Sequence, residues 1–236
     1  MQGQQHQGKG LKYLTVLPDD HEPQTSYPLI IMLHGFGANM QDLAGLAPVI
    51  NSRDYVYACP NAPIAFDLGG GHPGYGWTSP RGQSTAEEMQ TAEQLLAGFF
   101  EEVSQQFQVA PGRALLLGFS QGGGMTYRCG LGRPETFAGL VALSASLPDP
   151  EILQDRLPEA RTQSIFVAHG TGDPMIAAER AHAAREFLEG AGYPLEFHEY
   201  AMGHEINQEV LRDLVPWITK VLPPAQVTQL TTEPPA

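Results

Sequence analysis

At 236 residues, 42% of them hydrophobic, the chain has the size of one domain and enough apolar material for a large core. A formal net charge of -13 and a pI of about 4.9 exclude a nucleic-acid surface, which needs a basic face, and electrostatic docking on anionic membranes. No run reaches the ~18 apolar residues of a membrane span, and Met1–Gln5 lacks the charged and apolar regions of a signal peptide. No stable membrane insertion and a cytoplasmic location are therefore expected. Cys59 and Cys129 read as small buried hydrophobes at a strand end and inside a helix, which implies no disulfide framework.

In chain order, residues 1–10 read as a flexible N-terminal segment, 11–222 as a single catalytic domain, and 223–236 as a Pro/Thr-rich tail expected to be disordered. Leu11 to Leu17 is an opening strand, suited to an antiparallel edge. Pro28 to Leu33 is a buried strand running into the loop His34-Gly35-Phe36-Gly37. Tyr55 to Cys59 is a short buried strand. The stretch Gly69-Gly70-Gly71-His72-Pro73-Gly74-Tyr75-Gly76-Trp77 reads as a mobile flap carrying two aromatic side chains. Thr85 to Phe107 is the clearest helix. Thr85 with Glu88 makes a capping box, and Met89, Ala92, Leu95, Leu96, Phe99, Val103 and Phe107 recur at helical spacing.

Further on, Arg113 to Leu117, Leu140 to Leu147, Ser164 to His169 and Leu195 to Tyr200 are strand-like. Met175 to Glu189 is a helix ended by Gly190 to Gly192. A last amphipathic helix starts near Glu205, and Pro216 inside it should kink or locally break it. Strands alternating with helices predict an α/β fold, a mostly parallel central sheet flanked by helices on both faces.

The chemistry concentrates at Gly118-Phe119-Ser120-Gln121-Gly122. This is a G-x-S-x-G pattern between an apolar strand and a helix, the context of a nucleophile elbow. The sharp turn strains the serine backbone and requires small residues two before and two after it. Its bland reading is a glycine-rich turn whose serine caps a helix. A nucleophilic serine needs a base, and the base an orienting acid, in the order Ser, acid, His. Asp173 follows the Ser164–His169 strand, and His204 follows the Leu195–Tyr200 strand. Both then share the carboxyl edge of the sheet with Ser120, where ligands bind in such sheets. Asp149, after the Leu140–Leu147 run, is the competing acid. Of the eight histidines, His34 reads as a turn-holder and His169 as structural beside the acid loop. His6 and His21 lie in polar segments, His72 in the glycine-rich loop, His182 in a helix and His198 on a strand. Only His204 combines the order with a glycine that allows a tight loop. The oxyanion donors expected are the amides of Phe36 and Gln121.

These segments, with Pro60-Asn61-Ala62-Pro63, Phe137 to Ser144, His169-Gly170-Thr171-Gly172-Asp173-Pro174 and Gly203-His204-Glu205-Ile206, resemble the carboxylesterase/phospholipase branch of the α/β-hydrolases. That branch includes the acyl-protein thioesterases. The resemblance runs from about Leu11 to about Val221. It implies Ser120 as nucleophile, Asp173 as acid, His204 as base, and Phe36 and Gln121 as oxyanion donors. It also implies a small-molecule acyl ester as substrate and no cofactor, and the absence of an HExxH or CxxC pattern leads to the expectation of no metal. Tyr75, Trp77, Met175 and Ile176 fall where relatives border the substrate groove. The family often carries a valine pair and a proline after the acid, whereas here Pro174-Met175-Ile176-Ala177 follows Asp173. The glycine-rich flap and the lack of a long apolar lid helix point to short- or medium-chain esters. Lysophospholipids or long-chain acyl-protein thioesters are the alternative. A non-catalytic binding protein of this fold would typically have lost a member of the triad. An apolar flap could serve a homodimer as easily as a substrate.

Overall fold

The computed structural model describes residues 1–67, 69 and 73–224. In chain order its elements are β1 (Gln2–Gln7), β2 (Lys12–Leu17), β3 (Leu29–Leu33), α1 (Ala47–Ile50), β4 (Val56–Pro60), β5 (Ile64–Phe66), β6 (Gly74–Gly76), α2 (Ala86–Gln106), β7 (Ala114–Phe119), α3 (Gln121–Gly130), β8 (Phe137–Leu143), α4 (Pro150–Gln154), β9 (Ser164–Gly170), α5 (Ala178–Gly190), β10 (Leu195–Tyr200) and α6 (Gln208–Val221).

The continuous apolar runs become strands buried on both faces. In β3, Leu29, Ile31 and Leu33 enter one hydrophobic cluster, while Ile30 and Met32 enter the other. Helices α2, α3, α4 and α5 pack into the first cluster, and α1 and α6 into the second. A strand covered on both sides has no polar face to alternate with, which is why these strands read as unbroken apolar runs.

The eight-stranded sheet has the order β1-β2-β4-β3-β7-β8-β9-β10. From β4 to β10 it is parallel, and β1 and β2 add an antiparallel edge. The order reverses about β3, which has β4 on one side and β7 on the other. Ligands of open α/β sheets bind beyond the carboxyl ends of strands at such a reversal. Leu33 pairs with Gly118, so the loops leaving β3 and β7 start level. β5 and β6 form a separate hairpin.

Two expectations are corrected. Residues 1–10 are not a flexible segment: Gln2–Gln7 pairs antiparallel with β2, from Gln2 opposite Leu17 to Gln7 opposite Lys12. A run of glutamines has no hydrophobic signature, and the strand forms because β2 offers a free backbone edge. His6 reinforces it, stacking on Tyr13 at 4.7 Å and bonding Thr15 Oγ1 at 2.9 Å. Pro216 does not break the last helix, since α6 runs unbroken from Gln208 to Val221. Pro216 and Arg212 are exposed, so the Arg212 carbonyl that loses its partner faces solvent. Val210, Leu214, Trp217 and Ile218 hold the opposite face in the core. Residues 225–236 of the tail, with Leu68 and Gly70–His72 of the glycine-rich loop, lie outside the described residues. Among the described residues no helix is long and apolar enough to cross a membrane.

The loop after β3 is bracketed by His34. Its buried ring donates from Nδ1 to the Gly35 carbonyl at 2.7 Å and accepts the Ala62 amide at Nε2 at 3.0 Å. Its own carbonyl accepts Trp77 Nε1–H at 3.0 Å. Both ring nitrogens are committed, and the proton sits on Nδ1. Burial, partly offset by the bond to Gly35, pushes the His34 pKa down to about 4.

Two measurements follow from these contacts. The capping box of α2 is complete, Thr85 Oγ1 accepting the Glu88 amide at 3.1 Å and Glu88 Oε2 accepting the Thr85 amide at 3.1 Å. Thr85→Ala should therefore lower unfolding free energy by about 1 kcal/mol in urea titrations. An unfolded histidine titrates near ~6.5, so the unfolded chain binds a proton that folded His34 refuses between there and about 4. Stability from this group is full above the unfolded value and lost as pH falls through that window. At pH 5 the loss should reach about 2 kcal/mol relative to neutral pH. NMR titration of the ring should show it still neutral at pH 5, and a midpoint near the unfolded value would contradict the bracket.

Candidate active site

Ser120 sits between β7 and α3 at φ 54°, ψ -116°, a left-handed conformation that a side chain rarely adopts. Close backbone approach on both sides accounts for it. A Cβ on Gly118 would overlap the Gly122 carbonyl, and one on Gly122 would overlap the Leu33 carbonyl. Glycine at these two positions lets the turn close and lets α3 seat directly against β3. The Ser120 amide donates to the Leu143 carbonyl at 2.9 Å, which ties the turn to the end of β8.

The structure brings Ser120, Asp173 and His204 together from three separate loops. His204 Nε2 lies 2.9 Å from Ser120 Oγ, and His204 Nδ1 lies 2.7 Å from Asp173 Oδ2. The other carboxylate oxygen, Asp173 Oδ1, accepts the Met175 amide at 2.8 Å and the Ile176 amide at 2.9 Å. The Asp173 side chain has no exposed surface, while that of His204 keeps 17%. Burial by itself would raise the Asp173 pKa, but the hydrogen bonds from His204, Ile176 and Met175 outweigh it and hold the carboxyl below its usual range. An acid held ionised on Nδ1 leaves Nε2 free to take the hydroxyl proton. Asp149, the competing acid, instead caps α4, its Oδ1 accepting the Glu151 amide at 3.0 Å.

His169 has a structural part, and its position makes that part specific. Fully buried on β9, it bonds the Ile176 carbonyl through Nε2 at 2.8 Å, and Nε2 lies 3.6 Å from Asp173 Oδ2. It thus pins the acid loop at the residue whose amide holds Asp173. A histidine four positions before the acid was its sequence signal.

Among the described residues, neither the Phe36 nor the Gln121 amide N–H has a protein partner. Gln121 opens α3, where N–H groups lack intrahelical acceptors and carry partial positive charge. The Phe36 loop is drawn in by backbone bonds between Gly37 N–H and Tyr75 O and between Tyr75 N–H and Ala38 O, both 2.8 Å. Its Gly35 packs against the serine, since a Cβ there would lie 3.3 Å from Ser120 Cβ. The Gln121 side chain has a part that sequence reasoning missed. Its Oε1 accepts the Trp77 amide at 2.8 Å, and its Nε2 donates to the Thr78 carbonyl at 3.0 Å. One residue thus offers its own amide to the site and fastens the segment opposite.

A cavity of about 700 Å³ opens on Ser120, lined by Phe36, Gln121, Met89, Leu147, Met175 and Ile176 among others. Met175, 65% exposed, lies at its rim and Ile176 within its wall. Tyr75 and Trp77 do not line it. Trp77 is fully buried beneath the loop, donating to His34, and Tyr75 packs against the core from β6. With no exposed surface, Trp77 cannot touch substrate, which corrects that expectation for this residue. Trp77 and Tyr75 brace the loop that carries the Phe36 amide. Among the described residues no group of three or more His, Cys, Asp or Glu side chains is arranged to hold a metal ion.

The family model described as phospholipase/carboxylesterase matches residues 17–222. The acyl-protein thioesterase 1 of Mycosarcoma maydis is 28% identical over 238 residues, spanning 90% of this chain and 98% of its own. A probable carboxylesterase of rice, Oryza sativa subsp. japonica, is 30% identical over 177 residues, 72% of this chain and 66% of that one. In three dimensions the chain is similar to esterase PE8, with a TM-score of 0.77 and 25% identity over 90% of this chain and 99% of that one. It shares its fold with the Bacillus cereus carboxylesterase, at a TM-score of 0.73 and 21% identity over 90% and 95% of the two chains. The chain thus belongs to the phospholipase/carboxylesterase family, with an α/β-hydrolase fold, and is a serine hydrolase with esterase or thioesterase activity.

Proposed function

We propose that Ser120, Asp173 and His204 form the catalytic triad of a carboxylesterase that acts on short- to medium-chain esters through an acyl-enzyme. The observation that carries this reading is the unbroken relay from the buried Asp173 carboxylate through His204 to the Ser120 hydroxyl, at 2.7 and 2.9 Å. Ser120 Oγ attacks the acyl carbonyl carbon as its proton passes to His204 Nε2. The carbonyl oxygen, now anionic, accepts hydrogen bonds from the Phe36 and Gln121 amides, each donor contributing roughly 3 kcal/mol. His204 hands its proton to the departing alcohol, leaving the acyl group on Ser120. Water then attacks, His204 taking its proton, and Ser120 is released with the acid as product. Asp173 holds the imidazole tautomer and stabilises the imidazolium throughout.

A second reading, hydrolysis of long-chain acyl thioesters or lysophospholipids, is supported by the thioesterase named among the relatives and by the apolar lining of the cavity. The two are separated by hydrolysis of p-nitrophenyl esters from acetate to palmitate. The expected profile peaks at short or medium chains, and a peak at palmitate would move the assignment to the second reading. Ser120→Ala should lower kcat by about 10⁴-fold or more with an unchanged circular dichroism spectrum. Asp173→Asn should cost about 10⁴-fold in kcat. Asp149→Asn should cost far less, since asparagine caps a helix as well as aspartate. Wild-type-like turnover by Ser120→Ala would overturn the triad.

A further inference from the structure

The cavity at Ser120 is apolar for most of its surface, yet it borders one confined cation. Arg128 lies on α3 on the same stripe as Ser120, Gly124 and Met125, and all four line the cavity. Its side chain is only 13% exposed, and its Nε donates to Glu93 Oε1. Among the described residues its terminal Nη groups have no hydrogen-bond partner. Glu93 cannot neutralise it alone, because Glu93 Oε2 also accepts Arg156 Nη1 at 2.7 Å. Behind Arg128 lies a smaller polar space of about 390 Å³, bordered by three arginines (128, 133 and 156) and two glutamates (93 and 135). This corner therefore keeps one uncancelled positive charge within a chain of net charge -13. The other charges on the cavity are exposed and already engaged, Arg81 donating to the Met175 carbonyl and Asp149 capping α4.

His204 does not line this cavity. The leaving group has to meet His204 Nε2, so the arm of the substrate that enters the cavity is the acyl arm. Ser120 and Arg128 are eight positions apart, about 12 Å along a helix at 1.5 Å per residue. The arginine side chain leans back toward the helix N-terminus and shortens this span. An extended chain advances about 1.25 Å per carbon–carbon bond, so the space suits an acyl group of about six to nine carbons.

We propose that Arg128 is a specificity-determining residue that selects medium-length acyl groups ending in a carboxylate, the monoesters of alkanedioic acids. This rests on Ser120 being the nucleophile. A guanidinium with free Nη groups can accept such a terminus through a two-pronged, charge-assisted bond. A neutral methyl terminus would instead leave those donors facing hydrocarbon.

The test compares kcat/KM for the mono-p-nitrophenyl ester of octanedioic acid with that for p-nitrophenyl octanoate, each corrected for the rate of Ser120→Ala. The wild type should favour the carboxylate-ended ester by roughly tenfold or more, with the preference shrinking as salt rises. Arg128→Gln should abolish the preference, and Arg128→Lys should retain part of it. If Arg128→Gln does not fold, inhibition of the wild type decides, octanedioate being expected to compete at least tenfold better than octanoate. Equal or reversed preference in the wild type, or a preference that survives in Arg128→Gln, would overturn the assignment. Ser120-dependent hydrolysis of the neutral ester would in that case leave the triad reading standing. No Ser120-dependent hydrolysis of either ester would sink both.

Discussion

The site depends first on one backbone constraint, the left-handed conformation of Ser120 between a strand and a helix. Such a conformation costs on the order of 1–3 kcal/mol and persists only where surrounding contacts over-determine it. Here the contacts are backbone to backbone. Gly118 and Gly122 have no room for a side chain, the Ser120 amide is held by Leu143, and Thr126 Oγ1 donates to the Gly122 carbonyl at 3.1 Å. In return the hydroxyl projects from the carboxyl edge of the sheet while the first N–H groups of α3 stay free beside it. A relaxed turn would separate these two features.

The remaining loops are keyed to that turn by polar bonds, and those of His34 and His169 are buried, where an unmade bond would be costly. His34 holds the loop after β3 through both ring nitrogens and its carbonyl. Gln121 ties the segment at Trp77 and Thr78 to the residue that follows the serine. His169 and the amides of Met175 and Ile176 fix the acid loop, so Asp173 stays ionised although its side chain is wholly buried. Arrangement before substrate arrives is what makes fixed dipoles effective, because no reorganisation remains to be done during the reaction.

Much of this was legible in the sequence because it rests on local rules. The elbow needs glycine at fixed offsets, the capping box needs Thr85 and Glu88, and doubly covered strands need apolar runs. Asp173 and His204 could be selected by chain order and by the strands before them. What stayed hidden depends on partners distant in sequence. β1 has no apolar pattern and forms only because β2 is there to pair with. Trp77 looked like a flap residue because glycines precede it, yet its indole N–H finds an acceptor at His34, far earlier in the chain, and the ring is drawn into the core. α6 runs through Pro216 because its opposite face is anchored, which helix propensity alone does not register. Arg128 gave no signal at all, since its meaning comes from Glu93, Arg156 and the cavity in front of it.

Covalent trapping would show whether Ser120 is the activated nucleophile. The protein would be treated with a fluorophosphonate, digested, and the modified peptide sequenced by mass spectrometry. A stoichiometric adduct on Ser120 is expected, forming quickly in the wild type and more slowly, by roughly a thousandfold or more, in His204→Ala, the order of effect that follows when the base of such a relay is removed. An adduct on another residue, or labelling of Ser120 that does not depend on His204, would contradict that role.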